Sequence, residues 1–162
     1  MTYKKHVLGF YRERDKYGEF SNWYRSEFEI NGHKFISAEQ YMMHSKAVLF
    51  GDNNTAEKIL AAHDQGTIKS LGRAVKNYEE PIWAGLRHIT VYKGLYAKFS
   101  QNEDLKNLLL STGNDIIAEC SPTDRIWGIG LDIDDPKVQD IYKWNGTNLL
   151  GFALMEVREA LK

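Results

Sequence analysis

Cysteine is almost absent: Cys120 is the single one in 162 residues. A lone thiol closes no intramolecular disulfide, and no Cys/His set has zinc-site spacing, so neither a disulfide framework nor a structural metal is expected. No motif asks for a cofactor. Positive charge is not in excess either. Lys plus Arg number 21 against 22 Asp plus Glu, which excludes a general basic field holding a nucleic-acid backbone by counterion release. A small anionic ligand met by a local patch suits this balance better. Long apolar runs are missing: after Met1-Thr2-Tyr3-Lys4-Lys5-His6 no stretch is long enough for a signal peptide or a membrane span. The expected setting is reducing and cytoplasmic, with no membrane partner. Internal repeats and low-complexity tracts are absent as well. The oligomeric state is left open.

What is present is apolar content of 43%, enough for residues 1–162 to form one compact domain with a sizeable core. Its most informative stretch is Ser37-Ala38-Glu39-Gln40-Tyr41-Met42-Met43-His44-Ser45-Lys46-Ala47. Ser37 followed three residues later by Gln40 has capping-box form, each side chain serving a free backbone N–H at a helix start. At about 100° per residue, Tyr41, Ser45, Val48, Ala38, Leu49 and Met42 share one apolar arc. Glu39 and Lys46, two turns apart, align at its edge beside Met43. A carboxylate and an amine thus border the core where a cleft would lie. Such a pair is more often a solvated face whose stems cover apolar surface, so spacing alone assigns it no function.

Around this stretch the pattern is of helices with a few strands. Val7 to Tyr11 reads as a strand, followed by a charged connection from Arg12 to Gly18. Asn31-Gly32, between Phe28-Glu29-Ile30 and Lys34-Phe35-Ile36, predicts a hairpin that delivers the chain to Ser37. The first helix should stop at Phe50-Gly51, a second run from Asp52 to Ala62, and a third from Thr67 to Val75 with Ile68, Leu71 and Val75 in step. Pro81 suits the first turn of a long helix, in which Trp83, Leu86, Ile89, Thr90, Leu95 and Phe99 predict a buried stripe as far as Ser100. Arg73, Arg87 and Lys98 are the cations available to a phosphate, although single basic residues on helices are usually only solvated. A further helix starts at Asn102-Glu103-Asp104 and stops at Thr112-Gly113. Ile116 to Cys120 predicts a strand leading into Ser121-Pro122-Thr123-Asp124-Arg125-Ile126-Trp127-Gly128-Ile129-Gly130, a rigid turn of the kind that faces ligands. There Gly128 and Gly130 permit close backbone approach, Asp124 offers a carboxylate and Trp127 a flat face. The alternative is a tight turn with Trp127 plugging the core. Finally, Trp144-Asn145-Gly146-Thr147-Asn148 caps a helix with Leu150, Ala153, Leu154, Val157 and Leu161 on one stripe. The free N–H groups at its start are a candidate anion site. The class is α+β, mostly helical with a small sheet.

Phe20-Ser21-Asn22-Trp23, Ser37-Ala38-Glu39-Gln40-Tyr41 with Lys46-Ala47, Ala97-Lys98-Phe99, Thr112-Gly113, Asp124-Arg125-Ile126-Trp127-Gly128-Ile129-Gly130 and Trp144-Asn145-Gly146-Thr147-Asn148-Leu149-Leu150-Gly151 together resemble, in order, the signatures of the NADAR, or YbiA-like, superfamily. The resemblance implies a mostly helical α+β domain acting on N-glycosides of ribose phosphates or of ADP-ribose. One departure is that the family often has His after the helix glutamate, where this chain has Gln40.

Cutting a C1′–N bond needs an acid for the leaving base, stabilisation of positive charge at C1′, and a nucleophile on the sugar. Glu39 is the expected carboxylate. Lys46, its pKa lowered by partial burial, suits attack on an open-chain aldehyde at C1′ to form a Schiff base. Asp124 is expected on the ribose or leaving base, Trp127 and Trp23 as stacking faces beside Asn22, and Asn145, Gly146 and Asn148 with Arg73, Gly128 and Gly130 around the substrate and its phosphate. The expected partner is a nucleotide-like small molecule, a phosphorylated ribosylamino-pyrimidine of the riboflavin pathway. Nucleic acid enters only as an ADP-ribosylated substrate whose guanine would be released. A non-catalytic module binding ADP-ribose or NAD is the remaining alternative.

Overall fold

The structure, a computed structural model, describes residues 5–162, so that Met1 to Lys4 lie outside the described residues. The chain divides into two compact units, one of Arg25–Asn102 and one of residues 5–24 with 103–162.

In the first unit, strands β2 (Phe28–Ile30) and β3 (His33–Phe35) form the expected hairpin, pairing Phe28 with Phe35 and Ile30 with His33. Asn31 and Gly32 turn it with positive φ of 51° and 81°, the geometry of a type I′ turn. The hairpin leads into α1 (Ala38–Leu49), followed by α2 (Asn53–Ala61), α3 (Gln65–Arg73) and α4 (Glu80–Ser100). Ser37 Oγ accepts the Gln40 N–H at 3.1 Å, and Gln40 Oε1 accepts the Ile36 N–H at 2.8 Å, which closes the cap. Gln40 does more than cap. Its amide donates to the carbonyls of Ile59 at 3.0 Å and Ala62 at 3.2 Å, tying α1 to the end of α2. Against α3, α1 packs at a point where α3 has no side chain: a Cβ on Gly72 would fall 1.9 Å from Met43 Sδ.

The stripe expected on α4 is corrected in its middle. Trp83, Val91, Leu95 and Phe99 are buried, but Leu86 and Ile89 are exposed, as are Val48 and Leu49 from the arc expected on α1. These four, with Tyr41 and His44, line an open groove of about 480 Å³. Periodicity marked the apolar faces; among the described residues no neighbouring element covers this part of them. Lys98, expected to be available to a phosphate or else only solvated, is wholly buried with its Nζ 5.2 Å from the Phe99 ring centroid.

The second unit holds β1 (Val7–Phe10), α5 (Glu103–Ser111), β4 (Ile116–Glu119) and α6 (Leu149–Ala160). Strands β1 and β4 pair in parallel, Val7 with Ile116 through Phe10 with Glu119. The strands therefore make two two-stranded sheets within the expected α+β class. Leu150, Ala153, Leu154 and Val157 face the core of this unit with no exposure. Asn148, buried before α6 at φ 53°, acts as a strand residue: its amide donates to the Ile117 carbonyl at 2.9 Å and its oxygen accepts the Glu119 N–H at 3.1 Å. Cys120 packs with Val7, Ala118 and Ile129. No helix among the described residues is long and apolar enough to cross a membrane.

Two measurements check this account. Gln40→Ala strands a buried N–H and two carbonyls, so urea denaturation should show a loss of about 3 kcal/mol. Burial pushes the Cys120 thiol up to about 12. Iodoacetamide at pH 8 should leave the native protein unlabelled by mass and label it once urea unfolds it.

Candidate active site

In the unit of Arg25–Asn102 the expected acid and amine stand at opposite ends of one helix face. Glu39 is the second residue of α1, buried at 7% exposure, where the helix dipole is positive. Lys46 lies in the last turn, two turns on, about 10 Å along the axis.

The surroundings of Lys46 are specific. Its Nζ donates to the Gly72 carbonyl at 2.8 Å, and that carbonyl belongs to the last turn of α3, where carbonyls lack helical partners and the dipole is negative. The Tyr78 ring centroid lies 4.5 Å from Nζ and that of Trp83 5.9 Å. A half-buried amine is thus enclosed by one carbonyl and two aromatic faces. Burial holds its pKa below the ordinary lysine value; Glu80 and Glu39 pull it back up, and Arg73 adds to the lowering. The amine therefore has a larger neutral fraction at neutral pH than a solvated lysine.

Tyr78, Glu80 and Trp83 were not singled out as site residues by the sequence. Their signal was present as an aromatic and acidic cluster around Pro81, but a tryptophan at the start of a helix reads first as core. Tyr78 donates its hydroxyl to Glu80 Oε2, and burial together with that carboxylate raises its pKa to about 12. Glu80 Oε1 meets Arg87 Nη1 at 3.4 Å. Arg73 is exposed at the end of α3.

The other expected residues belong to the second unit, where most serve the fold. Asp124 Oδ1 accepts the N–H groups of Ile126 at 2.9 Å and Trp127 at 2.8 Å, an Asx turn that sets the half-buried Trp127 ring. The expectation of free N–H groups ahead of α6 is corrected: Asn145, Thr147, Asn148, Leu149 and Leu150 give theirs to carbonyls of Ile129, Arg125, Gly128, Ile126 and Trp127. The close approach at Gly128 and Gly146 is likewise to the chain itself. A Cβ on Gly146 would lie 2.3 Å from the Gly128 carbonyl oxygen, and one on Gly128 would lie 2.8 Å from that of Glu119. Gly130 takes positive φ, 68°, against Asn145. Trp23 is half-buried, its N–H on Ser21 Oγ at 3.2 Å. Asn22 differs from these. It is 7% exposed, and its Oδ1 is buried with no hydrogen-bond partner among the described residues, the state of an acceptor awaiting a donor.

The Asx turn gives a discriminating pair of variants. Asp124→Ala should lower stability by about 1–2 kcal/mol in thermal or urea unfolding, whereas Asp124→Asn, which keeps an oxygen acceptor, should stay within about 0.5 kcal/mol of the parent.

An N-glycosidase of Acanthamoeba polyphaga mimivirus is 47% identical over 145 residues, 86% of this chain and 85% of its own length. A riboflavin biosynthesis protein of Vibrio vulnificus is 31% identical over 153 residues, 94% of this chain but 38% of that longer protein. The solution structure of the Escherichia coli protein YbiA superposes with a TM-score of 0.80 at 28% identity, covering 98% of this chain and 86% of that one. The model of the NADAR domain matches residues 9–162, nearly the whole sequence, and the chain belongs to the NADAR family.

Proposed function

We propose that this protein is a cytoplasmic N-glycosidase that hydrolyses the C1′–N bond of a phosphorylated ribosylamino-pyrimidine and releases ribose 5-phosphate. The observation that carries this reading is the state of Lys46, a half-buried amine held on the Gly72 carbonyl between Tyr78 and Trp83, with a buried carboxylate on the same helix face. The names of the mimivirus and Vibrio relatives support the reaction class and the substrate class respectively.

Ribosylamines open to an imine at C1′, which suits an amine nucleophile. Neutral Lys46 adds to C1′, forming a C–N bond; the pyrimidine amine departs as the old C1′–N bond breaks, taking a proton delivered by Glu39. A lysine imine of the sugar phosphate remains. Water then adds to C1′, its proton passing to the Glu39 carboxylate, and the imine C–N bond breaks to return the free amine and release the open-chain sugar phosphate. One water is consumed and no redox partner is needed. Glu39 and Lys46 lie about 10 Å apart along the axis of α1.

Incubation with the ribosylamino-pyrimidine phosphate in borohydride should add one reduced sugar phosphate to the intact mass of the parent protein. Glu39→Gln should turn over at least about a hundredfold slower, and Lys46→Ala should give neither adduct nor product. Free base without an adduct would replace the imine by direct water attack. No release from this substrate, alongside loss of ADP-ribose from a modified guanine oligonucleotide, would transfer the reading to that substrate.

A further inference from the structure

Tyr78 is a phenol at 39% exposure joined to a largely exposed carboxylate, a pairing that adds little to folding in water. Yet it is held on every side. Its ring meets the Phe50 ring edge-on, centroids 5.4 Å apart at 64°. The preceding Asn77 sits at φ 60° with its amide 3.5 Å from the Phe50 carbonyl, and the Lys76 N–H is bound at 2.9 Å by Asp52, the residue that caps α2. Glu80 is fixed by the first turn of α4 and by Arg87 two turns along it. Phe50 is itself the C-cap of α1, its N–H bonded to the Lys46 carbonyl. The loop between α3 and α4 is therefore anchored to the turn that carries Lys46, and what it delivers there is a ring face 4.5 Å from the amine.

We propose that Tyr78 and Glu80 are positioning residues for Lys46: Glu80 holds the phenol, and the phenol ring fixes the direction of the amine. This rests on the reading of Lys46 as the nucleophile. The groups that face Lys46 are Glu39 on its own helix, Arg73 at the end of α3, Tyr78 in the loop, and Glu80 and Trp83 on α4 with Arg87 behind Glu80. A ring face and a carboxylate both favour the ammonium, while burial and Arg73 favour the free amine. The signs are then fixed. Removing the Glu80 charge lowers the pKa of Lys46 further, so the acid side of the activity profile, which follows appearance of the free amine, moves to lower pH. Removing only the phenol hydroxyl keeps the ring attraction and loses its tether, which misaims the amine without changing substrate affinity.

The test compares parent, Glu80→Gln, Tyr78→Phe and Tyr78→Leu, with thermal unfolding as the control for folding. Lys46 acylation by acetic anhydride is followed against pH by peptide mass mapping, which reads the amine without substrate, and kcat and KM are measured alongside. Expected are a shift of the Lys46 acylation midpoint by about 0.5–1 unit downward in Glu80→Gln, a fall of about tenfold in kcat at unchanged KM in Tyr78→Phe, and a deeper loss in Tyr78→Leu. A folded Glu80→Gln whose acylation midpoint matches the parent overturns the proposal, as does a Tyr78→Leu with parental kcat. A shifted midpoint in a protein that releases no base from any substrate keeps the positioning and removes the N-glycosidase reading.

Discussion

The contact between the Lys46 ammonium group and the Gly72 carbonyl fixes the rest of the candidate site. It exists because two helices approach where one of them has no side chain, with Met43 seated against Gly72 one turn before Lys46 on the same face of α1. A side chain at position 72 would push the end of α3 away, and the carbonyl that accepts the amine would go with it. Close packing in a protein interior transmits such a displacement instead of absorbing it. The helix end supplies more than an acceptor. The negative end of the α3 dipole favours a cation at this carbonyl, as the Glu80 and Glu39 carboxylates do, while burial opposes the charge.

The outline of the fold was legible because its local signals were strong and agreed with one another. Ser37 and Gln40 marked the start of α1, Asn31-Gly32 the hairpin, Pro81 the start of α4, and the Leu150 to Val157 spacing the buried face of α6. Exposure was less legible. Leu86, Ile89, Val48 and Leu49 belong to apolar faces, and periodicity shows that a face is apolar without showing whether another element reaches it. Lys98 erred in the opposite direction: a lysine near the end of a helix reads as solvated, and here it is buried. The two turns of 3₁₀ helix at Pro136–Gln139 and Ile141–Lys143, started by Asp135 and Asp140, carry no hydrophobic period at all.

The site was legible in the same partial way. Glu39 and Lys46 could be paired from one sequence interval because a single helix carries both. Tyr78, Glu80 and Trp83 reach Lys46 from more than thirty residues away, and no periodicity records such a meeting. In the second unit the reading of glycine and asparagine as ligand-facing was competing with their use in joining backbone to backbone. Gly128 and Gly146 give up side chains so that loops can touch, and Asn148 uses both ends of its amide as a strand would. These are the same residue types a phosphate loop would use, for the same geometric reasons, with the protein's own carbonyls in place of a ligand.

The order of elements along the chain has a consequence for how the protein is made. Val7 and Ile116 lie side by side in the parallel pair of β1 and β4, yet more than a hundred residues separate them, and the whole of Arg25–Asn102 falls in between. That inner segment contains its own hairpin, four helices and core, all complete once residue 102 has left the ribosome. The outer unit waits longer, because β1 has no partner strand until β4 is made, and α6 follows later still. The nascent protein therefore meets its aggregation risk at β1, an apolar strand left unpaired until β4 is made. Its folding rate should be set by closing that one long loop, since loop closure precedes the contacts that reward it.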